Sequence, residues 1–363
     1  MTDDHPARDD AHAPQVQLDA DDRTGTIEVT VGGDPFTAFV YDHETQPLPT
    51  PVLHPIRAPS GDPVTRGYPL APRPGERVDH PHQVGHWLNH YDVNGVNFWA
   101  NSGPDTLERW EPLGSIRLRA IEGIESGPGH GELSFDADWV GPDGPLLRES
   151  TRFRFRASDD RRVIDRITTL TAVDCSVTVA DEKDGTFAVR VASALEHPPD
   201  EPITVIADSE AGTTREVSPT AVAGATDDDS GGEAIDATRR TGEYLSSTGV
   251  RGRDVWGTRA EWMRLAGEVG DGRVSVTVFD HPANVGSPTH WMARGYGLFA
   301  ANPFGRADYS DGEKRLDFEL DAGASTTLRY RIAVDEGVPD PAELDDRAEA
   351  FAERYPADRA ERD

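Results

Sequence analysis

Basic residues are scarce in this chain, and lysine is almost absent. Its 363 residues hold 36 Lys and Arg against 66 Asp and Glu, which gives a formal net charge of −30 at pH 7. Lys183 and Lys314 are the only lysines. A protein that binds nucleic acid or an anionic membrane surface needs a basic stripe, so we expect neither partner.

Long hydrophobic runs and cysteine are also scarce. No segment approaches the roughly 18 consecutive apolar residues of a membrane-spanning helix. Cys175 is the only cysteine, so no internal disulfide can form. It lies in the alternating stretch TAVDCSVTV, and we expect it to be a small buried side chain. The first residues lack the basic start and apolar core of a secretory signal, which predicts a cytoplasmic protein.

The acidic excess resembles the composition of proteins from salt-loving microbes. In molar salt the Debye length shrinks to about 3 Å, so repulsion among carboxylates is screened while they keep the surface hydrated. We therefore expect the protein to lose stability at low ionic strength. In such a composition a single Asp or Glu carries little information about function.

Short segments with strand character follow one another along the chain. They alternate apolar with polar residues and are separated by Gly, Pro, Asp or Asn. In RFRFR at 152–156, for example, Phe153 and Phe155 point to one side and the three arginines to the other. Short strands without long helices between them predict an all-β sandwich or barrel. An Ala- and Glu-rich end, with Pro341 near its start and Pro356 near its stop, predicts a short C-terminal helix.

Composition also predicts how the chain is organised. Residues 1–15 are polar and rich in Asp, which predicts a disordered leader. We expect a single domain over 16–337, with a mobile surface excursion at about 208–240 where small and polar residues predominate. A helical tail is expected over 338–363. Residues 42–80 hold many prolines and glycines, and a long loop of this kind inside a domain is usually functional or disordered.

The most unusual segment is DHPHQVGHWLNHYDVNGVNFW, residues 79–99. Its histidines are His80, His82, His86 and His90. In an extended conformation all four share parity and point to one side, and in a helix the last three lie on one face. Either conformation makes the imidazoles converge. The pair Asn94-Gly95 is typical of a type I′ turn and predicts a hairpin over YDVNGVNFW.

Converging imidazoles can serve as acid, base or metal ligand. His-x-His is a common arrangement of metal ligands on a strand, so a bound metal, if there is one, would be held by His80, His82 and His86. No other cofactor is expected. The structural alternative is that one or two of these histidines bond the backbone and the others lie on the surface.

A second cluster lies in DHPANVGSPTHWMARGYGLFAANPFG, residues 280–305. Aromatic faces beside Asn, His and Arg suit a sugar, because they combine an apolar platform with planar donors and acceptors for hydroxyls. The alternative is that the aromatic residues belong to the core. RGRDVWGTRAEWM at 251–263 ranks below this cluster, because an Arg on a Trp is often only a packing pair. The segment DEKDGTFAVRVA, which holds Glu182, is a candidate for a further wall of the sugar site.

These segments, with PVLHPIRAPSGDPVTRGYPL before them, resemble in the same order those of a bacterial and archaeal family of unknown function. That family is often labelled PmoA or methane oxygenase, and the resemblance covers roughly residues 30–335; the acidic composition suggests a haloarchaeal-type member. A methane-oxidising membrane subunit needs an apolar span that this chain lacks, so we do not expect that activity. The family usually has paired histidines where this chain has His82-Gln83.

The resemblance implies a soluble twisted β-sandwich akin to the galactose-mutarotase-like supersandwich, and a small-molecule sugar or glycan as partner. It implies an enzyme that acts on a sugar or sugar derivative by general acid–base chemistry, as an epimerase, lyase or hydrolase. The acid would be His82 or His86, and the base Asp79 or Glu182. The residues expected to bind substrate are Arg66, His80, Trp87, Asn89, His290, Trp291, Arg294 and Asn302.

Two other classes of function stay open. The first is a glycan-binding module without catalysis, and the second is a metal-dependent enzyme with histidine ligands. The density of titratable groups beside aromatic residues at 79–90 favours an enzyme, because a lectin-like site would not need four imidazoles.

Overall fold

The structure of the protein, a computed structural model, describes residues 13–43, 48–100, 112–219 and 239–356. Within these ranges strands predominate. The strands are β1 (Gln15–Asp21), β2 (Thr26–Val31), β3 (Asp34–Val40), β4 (Val52–Leu53), β5 (His86–His90), β6 (Ser115–Pro128), β7 (His130–Gly141), β8 (Gly144–Ala157), β9 (Arg161–Ala172), β10 (Val177–Val179), β11 (Gly185–Arg190), β12 (Ile203–Asp208), β13 (Thr213–Val217), β14 (Glu243–Ser246), β15 (Trp262–Val269), β16 (Gly272–Asp280), β17 (His290–Ala293), β18 (Leu298–Asn302), β19 (Phe318–Leu320) and β20 (Ser325–Glu336). The helices are the 3₁₀ turns Ser193–Leu195, Gly252–Val255 and Asp308–Ser310, and the α-helix α1 (Pro341–Arg354).

Sixteen strands form one continuous sheet in the order β14-β15-β16-β20-β9-β8-β7-β6-β1-β2-β3-β4-β5-β11-β18-β17. Neighbouring strands are antiparallel throughout. The pairs β10–β19 and β12–β13 form small sheets of their own. At the middle of the large sheet, β1 and β6 share a short register of Gln15 with Pro128 and Val16 with Gly127. The sheet is therefore joined there by a narrow seam between two halves.

The two halves of the sheet pack face to face. Phe39 on β3 contacts Phe135 on β7 with ring centroids 4.7 Å apart. Further along, Phe187 on β11 stacks on Tyr330 of β20 at 4.5 Å. Because side chains alternate between the faces of a strand, each half contributes every second residue to one core between them. The predicted all-β twisted sandwich is confirmed.

Local sequence patterns account for several elements. In β8, Phe153 and Phe155 are buried while the Arg152 side chain is 44% exposed, as the alternation predicts. The hairpin after β5 also forms. Asn94 and Gly95 have φ of 53° and 79°, the left-handed pair that a type I′ turn requires.

Helix α1 begins and ends where the sequence predicts. The Asp340 side chain accepts a hydrogen bond from the Glu343 N–H over 2.9 Å, and Pro341 occupies the first turn. Leu344 and Phe351 are buried against apolar residues of β15 and β16. No helix in the described ranges is long and apolar enough to cross a membrane.

One sequence prediction about burial is wrong. Cys175 is exposed, because residues 174–176 form an exposed bend that interrupts the alternation between β9 and β10. Most of the expected leader, residues 1–12, lies outside the described residues, and β1 begins at Gln15. Residues 220–238 of the expected excursion and 357–363 of the tail also lie outside them.

Candidate functional site

Strands β5, β11, β18 and β17 lie side by side at one end of the sheet, and their register decides which way each candidate side chain points. Trp87 is opposite Ala188, Ala188 is opposite Ala300, and Ala300 is opposite Met292. Directly opposed residues in neighbouring strands share a face, so these four positions lie on one side. The alternate positions, His86 among them, enter the core between the two halves of the sheet.

We call the first side the polar face, because it carries five buried polar side chains. They are Asn89, Thr186, Arg190, His290 and Asn302. Asn89 is opposite Thr186, and His290 is opposite Asn302. The Thr186 hydroxyl donates to Asn302 Oδ1 over 3.4 Å. The structure thus places four of the predicted binding residues, Trp87 and three polar ones, on one face and adds Thr186 and Arg190 to them.

The loop before β5 places a carboxylate against two buried arginines. Asp79 Oδ1 accepts hydrogen bonds from Arg66 Nη1 over 2.9 Å and from Arg190 Nη2 over 2.7 Å. Both arginine side chains are fully buried, whereas that of Asp79 is 32% exposed. Arg66 also donates to the main-chain oxygens of Asp79, His80 and Gln83. Arg66 therefore positions the loop and does not reach a substrate, which corrects the role predicted for it.

These contacts keep Asp79 ionised. Burial raises the pKa of its carboxyl, but the hydrogen bond from His80 and the charges of Arg190 and Arg66 outweigh burial and hold the pKa well below its ordinary value. The same oxygen lies 3.4 Å from Nδ1 of His80. A carboxylate at Nδ1 fixes the orientation of an imidazole.

His80, in the same loop, has an uncommon backbone conformation. Its φ is 44°, in the left-handed region that residues other than glycine seldom occupy. The main-chain oxygen of His80 accepts hydrogen bonds from the Gln83 N–H over 3.0 Å and from Arg66 Nη2 over 2.8 Å. Its ring is 42% exposed and stacks on Tyr296 with centroids 5.1 Å apart and an interplanar angle of 1°. The His82 ring lies 5.7 Å from that of His80.

Tyr296 also lines a cavity of about 450 Å³. The charged residues in its wall are Arg77, Asp200, Glu201, Arg253 and Arg294. Trp256, 37% exposed, lies in the same wall, and the Arg294 guanidinium is 4.8 Å from the centroid of a Trp256 ring. Indole and phenol faces beside planar donors are the surroundings that a sugar requires.

The segment at 251–263, in which the sequence favours a packing role for Arg and Trp, supplies part of this wall. Arg253 and Trp256 line the cavity, while Trp262 is fully buried in β15. Gly252 begins the 3₁₀ turn and Gly257 follows it, with φ of 60° and 74°. Two glycines bracketing an Arg and a Trp were the available signal that this aromatic residue lies on a surface turn.

His290 supports the cavity wall from behind. It is 8% exposed, and its Nδ1 lies 2.9 Å from the Gly257 main-chain oxygen. Burial lowers the pKa of its imidazole. The ring stacks on Tyr309 at 5.0 Å, and Tyr309 contacts Trp256 at 5.3 Å. The structure therefore joins residues 79–82, which we call the rim, to the cavity through Tyr296. It places His290 behind the part of the wall that Trp256 forms.

Four residues expected to bind substrate are instead fully buried and hydrogen-bonded within the protein. They are Trp87, Asn89, Trp291 and Asn302. The Trp87 indole donates to Asn89 Oδ1 over 3.1 Å. The other three side chains donate to main-chain oxygens over 2.8 to 3.0 Å. Because their polar atoms are already paired, these residues hold strands and loops together, and the binding role predicted for them is wrong.

His86 is a core residue. It is fully buried, its Nδ1 lies 2.9 Å from the Ala188 main-chain oxygen, and its Nε2 accepts from Arg166 Nη1 over 3.3 Å. Burial and the charge of Arg166 lower its pKa well below the ordinary value, so the ring stays neutral. The catalytic role predicted for His86 is therefore corrected.

The chain turns sharply at Gly85, and this turn explains why the four imidazoles do not converge. The φ of Gly85 is 54°, and a Cβ there would lie 2.1 Å from the Leu53 main-chain oxygen. The predicted extended run over 79–90 is thus broken, and shared parity does not carry across the break. Among the described residues, no three His, Cys, Asp or Glu side chains are grouped so that they could hold a metal ion. His80, His82 and His86 therefore do not form such a group.

Glu182 lies apart from the Asp79–His80 pair. It is half-buried, and burial together with the charge of Asp308 raises its pKa. In the described part of the chain no hydrogen bond or ion pair joins Glu182 to Asp79 or His80.

The protein is an all-β sandwich whose candidate site is built from loops at one end of the sheet. Residues 26–349 match the family of unknown function DUF6807, and the chain belongs to that family. No curated protein matches it.

Several solved structures share distant likeness with the fold. The GH36 alpha-galactosidase AgaB from Geobacillus stearothermophilus is 8% identical, with a TM-score of 0.36 over 88% of this chain and 41% of that one. The Slr1438 protein from Synechocystis sp. PCC 6803 is 9% identical, with a TM-score of 0.29 over 92% of this chain and 100% of its own. A Glycoside Hydrolase Family 97 enzyme from Pseudoalteromonas sp. strain K8, solved with acarbose, is 9% identical, with a TM-score of 0.27 over 90% and 34%. This chain spans less than half the length of the two hydrolases, and function has to be inferred from its own residues.

Proposed function

We propose that the protein is a carbohydrate-active enzyme that acts on a sugar or sugar derivative by general acid–base chemistry, as an epimerase, lyase or hydrolase. The observation that carries this proposal is the pairing of Asp79 with His80 beside Tyr296 of the cavity wall. Nδ1 of His80 lies 3.4 Å from an ionised carboxylate, and its ring stacks on Tyr296, which lines the cavity of about 450 Å³.

His80 is the group proposed to move the proton. With Nδ1 directed to Asp79, the ring presents Nε2 to a ligand. Asp79 stabilises the imidazolium that forms when Nε2 takes a proton. Arg66 and Arg190 keep Asp79 ionised, so the carboxylate orients the ring and does not take the proton itself. His82, on the same rim, is the second proton-transfer candidate, which a reaction that needs both an acid and a base would use.

The cavity is proposed to bind the sugar. Trp256 and Tyr296 supply apolar faces, and Arg294 supplies planar donors. Mutual contacts already hold these groups in place, since Arg294 lies over Trp256 and Tyr296 is stacked with His80. Binding such a preorganised wall costs a ligand less ordering entropy.

The test is isotope exchange in heavy water, followed by NMR over a panel of sugars. We expect His80→Gln to lower the exchange or turnover rate about 10²–10⁴-fold while changing sugar affinity by no more than a few-fold. His130→Gln is the matched control, because His130 is an exposed histidine at the start of β7. Unchanged turnover in His80→Gln would overturn the proposal.

A glycan-binding module without catalysis is the second candidate, and the exposure of Trp256 favours it. It predicts binding without exchange, ring opening or bond cleavage for every sugar in the panel. Trp256→Ala would then abolish affinity, while His80→Gln would change it little.

A further inference from the structure

The cavity concentrates positive charge in a strongly negative protein. The chain has a formal net charge of −30, yet the cavity wall holds Arg77, Arg253 and Arg294 against Asp200 and Glu201. The charged side chains of the wall therefore sum to one positive charge. In a chain whose acidic residues greatly outnumber its basic residues, an excess of arginine around one cavity is a local departure from the overall charge.

The three arginines differ in how far they are neutralised. Arg253 forms an ion pair with Asp200. Arg77 Nε donates to Glu196 Oε2 over 2.8 Å. In the described part of the chain, the Arg294 side chain has neither an ion-pair nor a hydrogen-bond partner. Arg294 is thus the cavity arginine without an ion-pair partner in the described part of the chain.

Arg294 is nevertheless held in place. Its guanidinium lies 4.8 Å from the centroid of the Trp256 ring, and its residue is half-buried in the cavity wall. Stacking on an aromatic face leaves the in-plane N–H groups of a guanidinium free to donate. The cavity therefore presents a fixed planar donor fork with an uncompensated charge.

We propose that this cavity recognises the carboxylate of an acidic sugar through Arg294. The inference rests on the proposed function and names its substrate class. A guanidinium fork matches the two oxygens of a carboxylate in a bidentate pair. One uncompensated cation suits a monoanion, whereas the nearby Asp200 and Glu201 would repel a phosphate dianion. A neutral sugar would leave the Arg294 charge unmatched.

A carboxylate on the substrate also fits proton transfer by His80. The C–H next to the carboxylate gives its proton to Nε2 of His80, and the electron pair of that bond moves into the carboxylate to form an enediolate. Arg294 stabilises the negative charge that develops there. Return of a proton to the same carbon regenerates the carboxylate, so no oxidant or co-reactant is required.

The experiment measures the affinity of the full chain for galacturonate, galactose and galactose 1-phosphate by titration calorimetry at one fixed salt concentration. We expect galacturonate to bind about ten- to a hundredfold more tightly than galactose, since hydrogen bonds to charged groups are the strong ones. Arg294→Gln should remove this preference, and Arg294→Lys should restore only part of it, because lysine keeps the charge and loses the fork.

Arg251→Gln is the control, because Arg251 is 58% exposed, belongs to the same segment as Arg253 and is not part of the cavity wall. Equal affinity for galactose and galacturonate, or a preference that survives Arg294→Gln, would overturn the carboxylate proposal while leaving the His80 test unaffected. Tighter, Arg294-dependent binding of galactose 1-phosphate would overturn it in favour of a phosphate. An Arg294-dependent preference for galacturonate without any effect of His80→Gln on exchange would uphold the carboxylate site and reject the catalytic proposal. No binding of any of the three probes would overturn the carboxylate proposal, and the isotope-exchange panel would decide the proposed function separately.

Discussion

His80 and His86 belong to one short histidine-rich segment, yet they lie in opposite surroundings. The His80 side chain is 42% exposed at a cavity rim and faces an ionised carboxylate. His86 is fully buried between a main-chain oxygen and a guanidinium. The same side chain is therefore available for chemistry in one position and serves packing in the other, because the two rings face different surroundings.

The polar groups around His86 form a closed network. Arg166 Nη2 donates to Glu149 Oε1 over 2.7 Å, and Glu149 also accepts from the Trp139 indole over 2.9 Å and from the Thr151 hydroxyl over 2.6 Å. Every member finds its partners inside the protein. At the rim, by contrast, His80 keeps an exposed ring, so a ligand can complete its contacts.

The largest effect is expected at the buried end of the comparison. Arg166→Met leaves Glu149 as a buried carboxylate without its cation, and we expect the free energy of unfolding to fall by about 3–5 kcal/mol. Urea denaturation at constant salt measures it. Arg148→Met is the matched control, because Arg148 lies on β8 with a 47% exposed side chain, and an exposed pair contributes about 0–1 kcal/mol. Equal losses in the two variants would contradict a special role for the buried network.

The next effect is a pH dependence that belongs to His86. Burial, followed by the charge of Arg166, lowers the pKa of His86 in the folded state, so the unfolded chain binds a proton there that the folded chain does not. The contribution of neutral His86 to stability is present above the pKa of a histidine in the unfolded chain, about 6.5. It is lost as pH falls below that value. Between pH 7 and 5 we expect a loss of about 2 kcal/mol from this residue.

His86→Leu separates this contribution from others. Two other histidines add to the same pH dependence. Burial lowers the pKa of His90 to about 4 and the pKa of His54 to about 3. Those groups titrate alike in the wild-type protein and in the variant, so the difference between the two pH profiles reports His86. Parallel profiles from pH 7 to 5 would show that His86 takes up a proton in the folded protein.

The smallest effect on stability is expected at the rim. His80→Ala removes a half-exposed ring whose partners are a surface carboxylate and one face of Tyr296, and we expect the free energy of unfolding to change by about 0.5 kcal/mol or less. Thermal and urea unfolding measure it. A loss as large as that of Arg166→Met would mean that the rim histidine serves folding, and the contrast between the two positions would disappear.

Much of the fold follows from local rules that the sequence carries by itself. Alternation in RFRFR predicts which residues of β8 are buried, because side chains of a strand point to opposite faces in turn. The pair Asn94-Gly95 predicts its turn, because both residues tolerate a left-handed backbone. Pro341 predicts the start of α1, because a proline has no N–H group that would be left unpaired in the first helical turn. Each rule concerns residues adjacent in the chain, and each prediction holds.

The candidate site, by contrast, depends on contacts between distant parts of the chain. Spacing predicted that the histidines of 79–90 converge, but a strand rule applies only within one strand. The chain turns at Gly85, where the Leu53 main-chain oxygen leaves no room for a Cβ. The cavity wall likewise combines residues from distant parts of the chain, such as Arg77, Arg253 and Arg294. Sequence by itself determined strands, turns and a helix, because those depend on neighbours along the chain. Which polar groups meet around a cavity depends on how the loops pack across the sheet, which no local pattern encodes.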